Sequence, residues 1–365
     1  MSKVEFVVFS DFHAHNFKAY SRLSSHGTKF LNSRLVDSLE VLSEIREYCG
    51  KNRIKAVLFG GDLFHTRQAV RTDVITSVHS EILRFNMDGI ALGMIPGNHD
   101  YANKRGNIHS LSLLTQLPEV RVISYPERIF FDDFIVYGLP YTESLEHARD
   151  HLVSLGLAAE EDANDTSCPK ILLAHLGMQG ARVGSDYVLV SDGDVGVADV
   201  PEEDFDLCLF GHFHEHQKLF KNGWVIGATH QHNWGDSGGS RGFLHVTIDT
   251  ETRKVDIKQI PTNAPRFVNV THENDIADLR PRDIVRVPAA FSESLKDDIR
   301  DKITKFGFLE EVTETVTTQD VGFSSESLNP NDMLEEWIES QDTKLPSEEL
   351  LNLGKELLTE ASKDE

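Results

Sequence analysis

The chain has 365 residues, 39% of them hydrophobic and 26% charged, as in a soluble globular protein with one large core and one or two smaller units. Its three cysteines are scattered and form no CxxC pair, which excludes a disulfide framework and a thiolate zinc site. The formal net charge of −23 argues against a uniformly basic nucleic-acid-binding surface.

Short apolar runs that predict buried strands alternate with segments of helical periodicity in the first part of the chain. In order, we predict a strand at 4–9, a helix at 35–52 with a stop at Gly50, a strand at 55–59, a helix at 71–89, and strands at 90–95, 170–174 and 206–210. This alternation is typical of an α/β layered fold. Three further strands, at 223–228, 242–249 and 254–261, are predicted to be antiparallel and to close the first domain.

The sequence after the first domain predicts two smaller units. A strand–helix–strand unit is expected within 266–319, and two short helices follow a Ser-rich linker. We therefore predict domains at 1–262 and 263–320 and a helical tail at 325–365. The stretch 293–365 has 20 acidic and 7 basic residues, so this end of the chain should repel polyanions.

The N-terminal sequence MSKVEFVVFSDFH leads directly into a predicted strand and has no signal-peptide pattern. No apolar run approaches the ~20 residues that a membrane-spanning helix requires. We therefore expect a cytoplasmic protein that makes no membrane contact.

Residue types that bind metals follow each of the five buried strands of the first domain. The motifs are SDFH with Asp11 and His13, GGDLFH with Asp62, GNHD with Asn98, AHLG with His175, and GHFH with His212 and His214. Because ligand sites in α/β sheets gather at the carboxyl ends of strands, we expect the five loops to converge. Oxygen and nitrogen donors of this kind suit Mn²⁺, Fe or Zn²⁺ better than a metal that prefers thiolates.

The set of seven side chains is too large for one ion and is about right for two. A bridging group must touch both ions, which a carboxylate can do, so we predict that Asp62 bridges them. Gly60 and Gly61 would let the backbone approach closely at this turn. Two adjacent cations polarise a phosphoryl group and generate hydroxide near neutral pH, so the predicted reaction is hydrolysis of a phosphate ester.

The ordered series DxH, GGD, GNHD, H and GHxH resembles the calcineurin-like metallophosphoesterases over residues 1–260. Within that superfamily, GGDLFH is similar to the signature of the SbcD-type DNA repair and recombination nucleases, which are counterparts of the meiotic-recombination-eleven nuclease. The segment VIGATHQHNWGDSGGSRGFLHVTID is similar to phage recombination nuclease subunits. The resemblance implies an α/β fold with a layered β-sandwich flanked by helices, a small α+β capping domain and C-terminal helices.

The resemblance also implies roles for individual residues. One metal would be held by Asp11, His13, Asp62 and His214, and the other by Asp62, Asn98, His175 and His212. His99 would assist departure of the leaving oxygen or orient the scissile phosphate, which suits a titratable imidazole. His65 would handle the phosphate near the metals, and the alternative for His65 is a solvent-facing position in a first helical turn.

Four other histidines near the predicted site are not assigned as ligands. His15 stands where relatives often have glycine, and we favour a surface position over a substrate contact. The remaining three are His216, His230 and His232.

A locally basic face is expected despite the acidic net charge. No acidic residue lies between Asp11 and Asp37, and this stretch contains four basic residues. We expect them to meet DNA phosphates together with basic residues that follow later motifs, whereas the alternative is that all are solvated loop charges. The residues are Lys18, Arg22, Lys29, Arg34, Arg67, Arg71, Lys104 and Arg105.

Taken together, the resemblance implies a manganese-dependent DNA nuclease with two Mn²⁺ ions, while Mg²⁺, Fe and Zn²⁺ stay open. It would be the nuclease subunit of an SbcCD-type complex, an exonuclease on duplex ends and an endonuclease on single strands or hairpins. The chain has no GxxxxGK[ST] motif, so the ATPase would be a separate SbcC-type coiled-coil subunit bound by the terminal helices. A homodimer is also expected. A small-molecule phosphodiesterase or phosphatase and a catalytically dead scaffold are the alternatives.

Overall fold

The computed structural model describes residues 3–67, 69–103, 108–165, 168–183, 187–188, 194–312 and 350–355. Internal contacts divide the chain into two units, 1–312 and 313–365. In the second unit the described residues, 350–355, are helical. The first of the two predicted tail helices lies outside the described residues.

The first unit contains four described α-helices and nineteen described strands. The helices are α1 (Ser33–Asn52), α2 (Thr72–Met87), α3 (Leu145–Asp165) and α4 (Glu293–Ile303). The strands are β1 (Lys3–Phe9), β2 (Leu23–His26), β3 (Lys29–Asn32), β4 (Ala56–Phe59), β5 (Ala91–Met94), β6 (Val120–Val122), β7 (Glu127–Phe130), β8 (Ile135–Leu139), β9 (Lys170–His175), β10 (Arg182–Val183), β11 (Tyr187–Val188), β12 (Leu207–Gly211), β13 (Gln217–Lys218), β14 (Gly223–Val225), β15 (Gly242–Asp249), β16 (Val255–Pro261), β17 (Phe267–Asn269), β18 (Ile284–Pro288) and β19 (Phe308–Val312).

Two six-stranded sheets form the centre of the first unit, in the orders β16-β15-β1-β4-β5-β6 and β13-β14-β12-β9-β8-β7. Strand β1 shows how the sequence builds the layers, because successive side chains point to opposite faces. Phe6 and Val8 pack against the second sheet, with Leu209 in the same cluster, whereas Val7 and Phe9 pack under α1 and α2. Helix α3 covers the outer face of the second sheet. The predicted α/β sandwich flanked by helices is confirmed.

The parallel pairing aligns the strand ends that carry the polar motifs. Phe9 at the end of β1 is opposite Phe59 of β4, which is in turn opposite Met94 of β5. In the second sheet, Gly211 of β12 is opposite His175 of β9. The loops that follow these strands therefore leave the sandwich at one edge.

The structure differs from the sequence prediction at several elements of the sandwich. Helix α1 continues through Gly50 to Asn52 and is capped by Arg53, which takes the left-handed conformation with φ 58°. Strands β15 and β16 pair antiparallel as predicted, but β14 joins the second sheet, parallel to β12 and antiparallel to β13, so the predicted antiparallel group of three strands is wrong. No element was predicted for 120–165, where the structure has β6, β7, β8 and α3.

A three-stranded parallel sheet, β17-β18-β19, follows the sandwich and packs on α4. Several contacts attach it to the sandwich, and two of them illustrate how. The Phe267 backbone N–H donates to Gln231 Oε1 at 2.6 Å, and Arg282 pairs with Asp37 at 2.8 Å. Among the described residues, no helix combines the length and apolarity needed to cross a membrane.

Candidate metal centre

All seven residues predicted as metal ligands lie in the loops at the shared edge of the two sheets. Asp11 and His13 follow β1, Asp62 follows β4 and Asn98 follows β5, while His175 ends β9, and His212 and His214 follow β12. The structure brings them together, and their role as metal ligands stays a prediction.

Asp62 lies at the centre of this group. Its Oδ2 atom is 3.6 Å from His13 Nε2 and 3.6 Å from His175 Nε2, one residue from each predicted ligand set. Its Oδ1 atom accepts a hydrogen bond of 2.8 Å from the His99 backbone N–H. The carboxylate is therefore fixed between the two sets, where a bridging ligand would have to lie.

In the second predicted set, hydrogen-bond acceptor atoms face one another with no proton between them, which is unfavourable unless a cation lies there. The His175 Nδ1–H donates to Gly60 O at 2.7 Å, so the Nε2 atom of the neutral ring carries a lone pair. This Nε2 lies 3.1 Å from Asn98 Oδ1, and His212 Nδ1 lies 3.1 Å from the same oxygen. A lone pair that faces a carbonyl oxygen at this distance fits a shared positive ion, and the nitrogen and oxygen donors are of the types that divalent metals bind.

The first predicted set surrounds Asp11, which is fully buried. Its carboxylate accepts from the His212 backbone N–H at 3.1 and 3.2 Å. The ring centroids of His13 and His214 are 5.2 Å apart, and Asp11, His13 and Asp62 present ligand atoms within 4.8 Å of one another. These side chains could hold a second ion beside the first.

Burial keeps most of these histidines neutral, which is the form that binds metals. Burial lowers the pKa of His13 and of His175 well below the ordinary value of 6.5. Burial and the charge of His214 lower the pKa of His212 to about 4. His214 is the exception: its hydrogen bond to Asp236 raises its pKa despite the opposing effect of burial.

The backbone at these loops is held in an uncommon conformation. Asp11, His13, Asp62 and His212 have φ values of 50°, 48°, 62° and 96°. Such residues cost on the order of 1–3 kcal/mol each and persist where surrounding contacts fix them. Here the Asp11 N–H donates to Gly61 O and the His13 N–H to Asp62 O, both at 2.9 Å.

Two glycines make the close approach of the loops feasible. A Cβ on Gly61 would collide with the His175 ring, and φ at this residue is 102°. A Cβ on Gly97 would collide with the Asp62 carboxylate. The glycine beside Asp62 is therefore required by packing, as the sequence predicted for this turn.

His99 and His65 lie side by side at the edge of the group. Their rings are stacked with centroids 5.6 Å apart, and each is 4.8 to 5.5 Å from the His13 ring. The His99 Nδ1–H donates to His65 O at 2.6 Å, which leaves Nε2 of His99 for the site. Burial lowers the pKa of both rings, to about 4 for His65. His65 is half-buried and precedes α2 by several residues, so it does not lie in a first helical turn.

The four unassigned histidines have different surroundings. His216 donates through Nδ1 to Val225 O at 2.8 Å, and the buried His230 has its Nε2 atom 3.1 Å from Ser38 Oγ. His15 is not isolated at the surface, because its ring lies 5.3 Å from that of His65. His232 lies among the predicted ligands, with its ring 5.0 Å from His13.

Asp236 is a site residue that the sequence analysis missed. Its carboxylate is buried and accepts from His214 Nδ1 at 2.8 Å. The sequence contains a signal, the GD pair in the segment similar to phage nuclease subunits, but the pairing with His214 depends on the fold. His232, which the sequence analysis left unassigned, donates through Nε2 to Asp11 O at 3.0 Å.

The predicted basic face is only partly supported. Arg34 is buried and donates to His232 O at 2.9 Å, so its predicted DNA contact is wrong. Arg22 donates to backbone carbonyls of 305–307 and lies over the Phe308 ring. Arg67 is exposed. Burial is the main cause of the lowered pKa of His212, and the positive charge of Arg67 lowers that pKa further, so Arg67 lies within electrostatic range of the site. Lys104 and Arg105 lie outside the described residues.

A comparison with protein families assigns this fold and its polar edge to the metal-dependent phosphoester hydrolases. The family model named calcineurin-like phosphoesterase matches residues 4–216. The chain belongs to this family, whose members use a dimetal centre.

Three relatives match part of the chain at low identity. "Putative phosphoesterase 244L" of Invertebrate iridescent virus 6 is 23% identical over 59% of this chain and 73% of its own length. The DNA double-strand break repair protein Mre11 of Saccharolobus solfataricus is 22% identical over 52% of this chain and 46% of its own length. Exonuclease subunit 1 of Enterobacteria phage T4 is 25% identical over 62% of this chain and 61% of its own length. The match therefore spans about half of the Mre11 protein and about three fifths of the exonuclease subunit.

The buried acids predict how metal binding depends on pH. Burial raises the pKa of Asp11 and of Asp100 to about 6, and burial with the neighbouring Asp100 and Asp11 charges raises that of Asp62 well above 3.8. Because these pKa values are higher in the folded than in the unfolded protein, the protonated carboxyl groups stabilise the fold. This stabilisation is full below about pH 4 and is lost as the pH rises through about 6. A divalent cation bound near the ionised carboxylates would offset their mutual repulsion and the cost of burying their charge.

We therefore expect Mn²⁺ to raise the melting temperature more at pH 7.5 than at pH 5, relative to protein in chelator. Differential scanning fluorimetry measures both shifts, and the Asp62→Asn variant, with one fewer acid, should show a smaller difference between them. Equal shifts at the two pH values would contradict the expectation.

Proposed function

We propose that the chain is a manganese-dependent DNA nuclease that hydrolyses phosphodiesters at a two-metal centre. The observation that carries the proposal is the position of Asp62, 3.6 Å from a histidine of each predicted ligand set. The names of two relatives, a DNA double-strand break repair protein and an exonuclease subunit, support DNA as the substrate. The oxygen and nitrogen donor set is compatible with Mn²⁺.

When bound, two adjacent divalent cations supply Lewis acidity and a hydroxide near neutral pH. The protein itself would hold the ligand atoms in place and would orient the phosphate through nearby side chains. With its Nδ1–H donated to His65 O, His99 presents only Nε2 to the site, and Nε2 can donate to a phosphate oxygen or to the leaving oxygen when the ring is protonated. The stacked His65 ring limits the movement of His99 and adds a second imidazole on the same side.

A nuclease assay tests the proposal. Full-length protein is incubated with end-labelled duplex DNA, single-stranded DNA and hairpin DNA in Mn²⁺ and in Mg²⁺ in parallel. We expect cleavage that requires metal and is faster in Mn²⁺. Absence of cleavage of all three substrates by protein with two bound Mn²⁺ ions would overturn it.

The second candidate is a small-molecule phosphodiesterase or phosphatase with the same metal centre. The viral relative named as a phosphoesterase favours it, because that name specifies no DNA substrate. Hydrolysis of bis-p-nitrophenyl phosphate without any cleavage of DNA would support this candidate over the nuclease.

We further propose that exposed basic residues around the site contact DNA phosphates. Arg67→Gln and Lys18→Gln, both at exposed positions, should each flatten the slope of log K for DNA binding against log salt concentration by about 0.9 for duplex DNA. The reason is that each phosphate contact that is lost reduces the number of counterions released when the protein binds. Fluorescence anisotropy at several salt concentrations measures the slope. Arg84→Gln on α2, where the arginine already lies near Glu81, is the matched control and should leave it unchanged. Unaltered slopes in the first two variants would assign those residues to solvated loops.

The partners are also proposed on the resemblance. The tail at 325–365 would bind the coiled coil of a separate SbcC-type ATPase, the unit at 263–320 would orient DNA, and the nuclease would be a homodimer. Deleting 325–365 should leave Mn²⁺-dependent cleavage of single-stranded DNA largely intact and abolish co-purification with the ATPase, because the metal loops lie in another unit. A truncated chain that still retains the ATPase as well as the full chain does would refute the assignment.

A further inference from the structure

Both oxygens of the Asp236 carboxylate are used inside the protein. Oδ1 accepts from His214 Nδ1 at 2.8 Å, and Oδ2 accepts from the His232 backbone N–H at 2.9 Å. The residue is 6% exposed, so water does not compete effectively for either oxygen. One buried carboxylate thus joins the loop after β12 to the loop that carries His232.

This contact determines which nitrogen of His214 is free. A carboxylate can only accept, so the His214 proton must be on Nδ1, and Nε2 then carries the lone pair. We propose that Asp236 is a positioning residue that fixes this tautomer and ring orientation and so makes His214 a metal ligand. The inference rests on the metal-centre part of the proposed function and does not depend on the substrate.

The loop has other supports, which separates the proposed role from simple maintenance of the fold. His232 Nε2 donates to Asp11 O at 3.0 Å, and Arg34 donates to His232 O at 2.9 Å. The loop can therefore keep its place when Asp236 loses its charge.

An asparagine cannot replace this carboxylate, although its size is the same. Its side chain offers one acceptor oxygen and one donor amide, whereas the site presents two donors. If the oxygen faces the His232 N–H, the amide faces His214 Nδ1 and moves the ring proton to Nε2, where a metal would bind. If the amide is turned the other way, the His232 N–H is left without an acceptor.

The test measures metal binding in the absence of substrate. Mn²⁺ is titrated into the metal-free full chain and followed by calorimetry and by electron paramagnetic resonance of free Mn²⁺. In Asp236→Asn we expect one of two Mn²⁺ equivalents to bind about 10–100-fold more weakly, as for other groups that orient metal-binding histidines, and the other to be unchanged. Asp162→Asn is the matched control, because Asp162 is also a buried carboxylate, hydrogen-bonded to Tyr137 OH at 2.5 Å, and belongs to α3.

A double-mutant cycle shows whether Asp236 acts through His214. In a His214→Gln background, Asp236→Asn should cause little further loss of Mn²⁺ affinity. The same loss in both backgrounds, or no loss in either, would overturn the inference.

The wild-type chain supplies a measurement that does not depend on a variant folding. In Zn²⁺-loaded protein, the ¹⁵N shifts of His214 should show a protonated Nδ1 and a metal-bound Nε2, and metal on Nδ1 would overturn the inference. Protein that binds two Mn²⁺ ions in the expected way and cleaves no DNA would overturn the proposed nuclease function and leave this inference standing.

Discussion

Asp62→Asn should abolish phosphodiester hydrolysis and should not destabilise the metal-free protein. The amide keeps the size of a side chain that is only 2% exposed, but it removes the charge placed between the two predicted ligand sets. The loss of activity should be far greater than the ~10–100-fold typical of a residue that only orients a ligand. Rates with DNA and with bis-p-nitrophenyl phosphate are compared at saturating Mn²⁺.

The stability of the same variant provides a second readout. Burial and the Asp100 and Asp11 charges raise the pKa of Asp62, so the ionised carboxylate destabilises the metal-free fold at neutral pH. Urea unfolding in chelator at pH 7.5 should therefore show Asp62→Asn to be at least as stable as the wild type. Near-full activity at saturating Mn²⁺ would contradict the bridging role.

Asp100→Ala should destabilise the protein by about 3–5 kcal/mol, a large part of the ~5–15 kcal/mol that holds a typical domain folded. The buried Asp100 carboxylate accepts from four backbone N–H groups. They belong to Asp62 at 2.8 Å, Gly97 at 2.9 Å, Leu63 at 3.0 Å and Phe64 at 3.3 Å. Alanine leaves these buried donors without an acceptor, and each such donor costs about 1–3 kcal/mol before the loops relax. Urea unfolding of the metal-free protein at pH 5 measures the loss, because burial raises the pKa of Asp100 to about 6 and removal of the ionised carboxylate would offset part of the loss at pH 7.

Asp100→Asn is the informative intermediate, because it keeps one acceptor oxygen and places an amide against the remaining donors. It should lose less stability than Asp100→Ala. Asp88→Ala is the control, since Asp88 forms an exposed ion pair with Arg46 at 2.7 Å and such pairs contribute about 0–1 kcal/mol. If Asp100→Ala unfolds at the same urea concentration as the wild type, the carboxylate does not hold the Asp62 loop.

Much of the site can be predicted because it follows from local sequence and one rule of sheet architecture. Asp11, Asp62 and His175 each come at the end of an apolar run, and parallel strands bring such ends to one edge. The fold class follows from the same alternation of strands and helices. No knowledge of long-range contacts is needed for either.

The parts that were missed depend on contacts between distant segments. Asp236 pairs with His214 across 22 residues, and nothing near either residue in the sequence specifies this. Arg34 lies in an acid-free stretch that looks like a solvated basic segment, but the fold buries it against the His232 loop. Strand β14 has three residues, too few for its sequence to determine which sheet it joins.

The left-handed turns at Asp11, His13, Asp62 and His212 are held by contacts within the protein, so folding itself brings the predicted ligand atoms together. Metal capture then requires little ordering of the chain, in contrast to small zinc domains that fold only when the metal binds. A rigid cage of mixed oxygen and nitrogen donors also has little freedom to adapt its shape to one cation. If these side chains hold metal as proposed, discrimination among ions that accept oxygen and nitrogen donors would rest both on the geometry that folding gives the loops and on which metals the cell supplies.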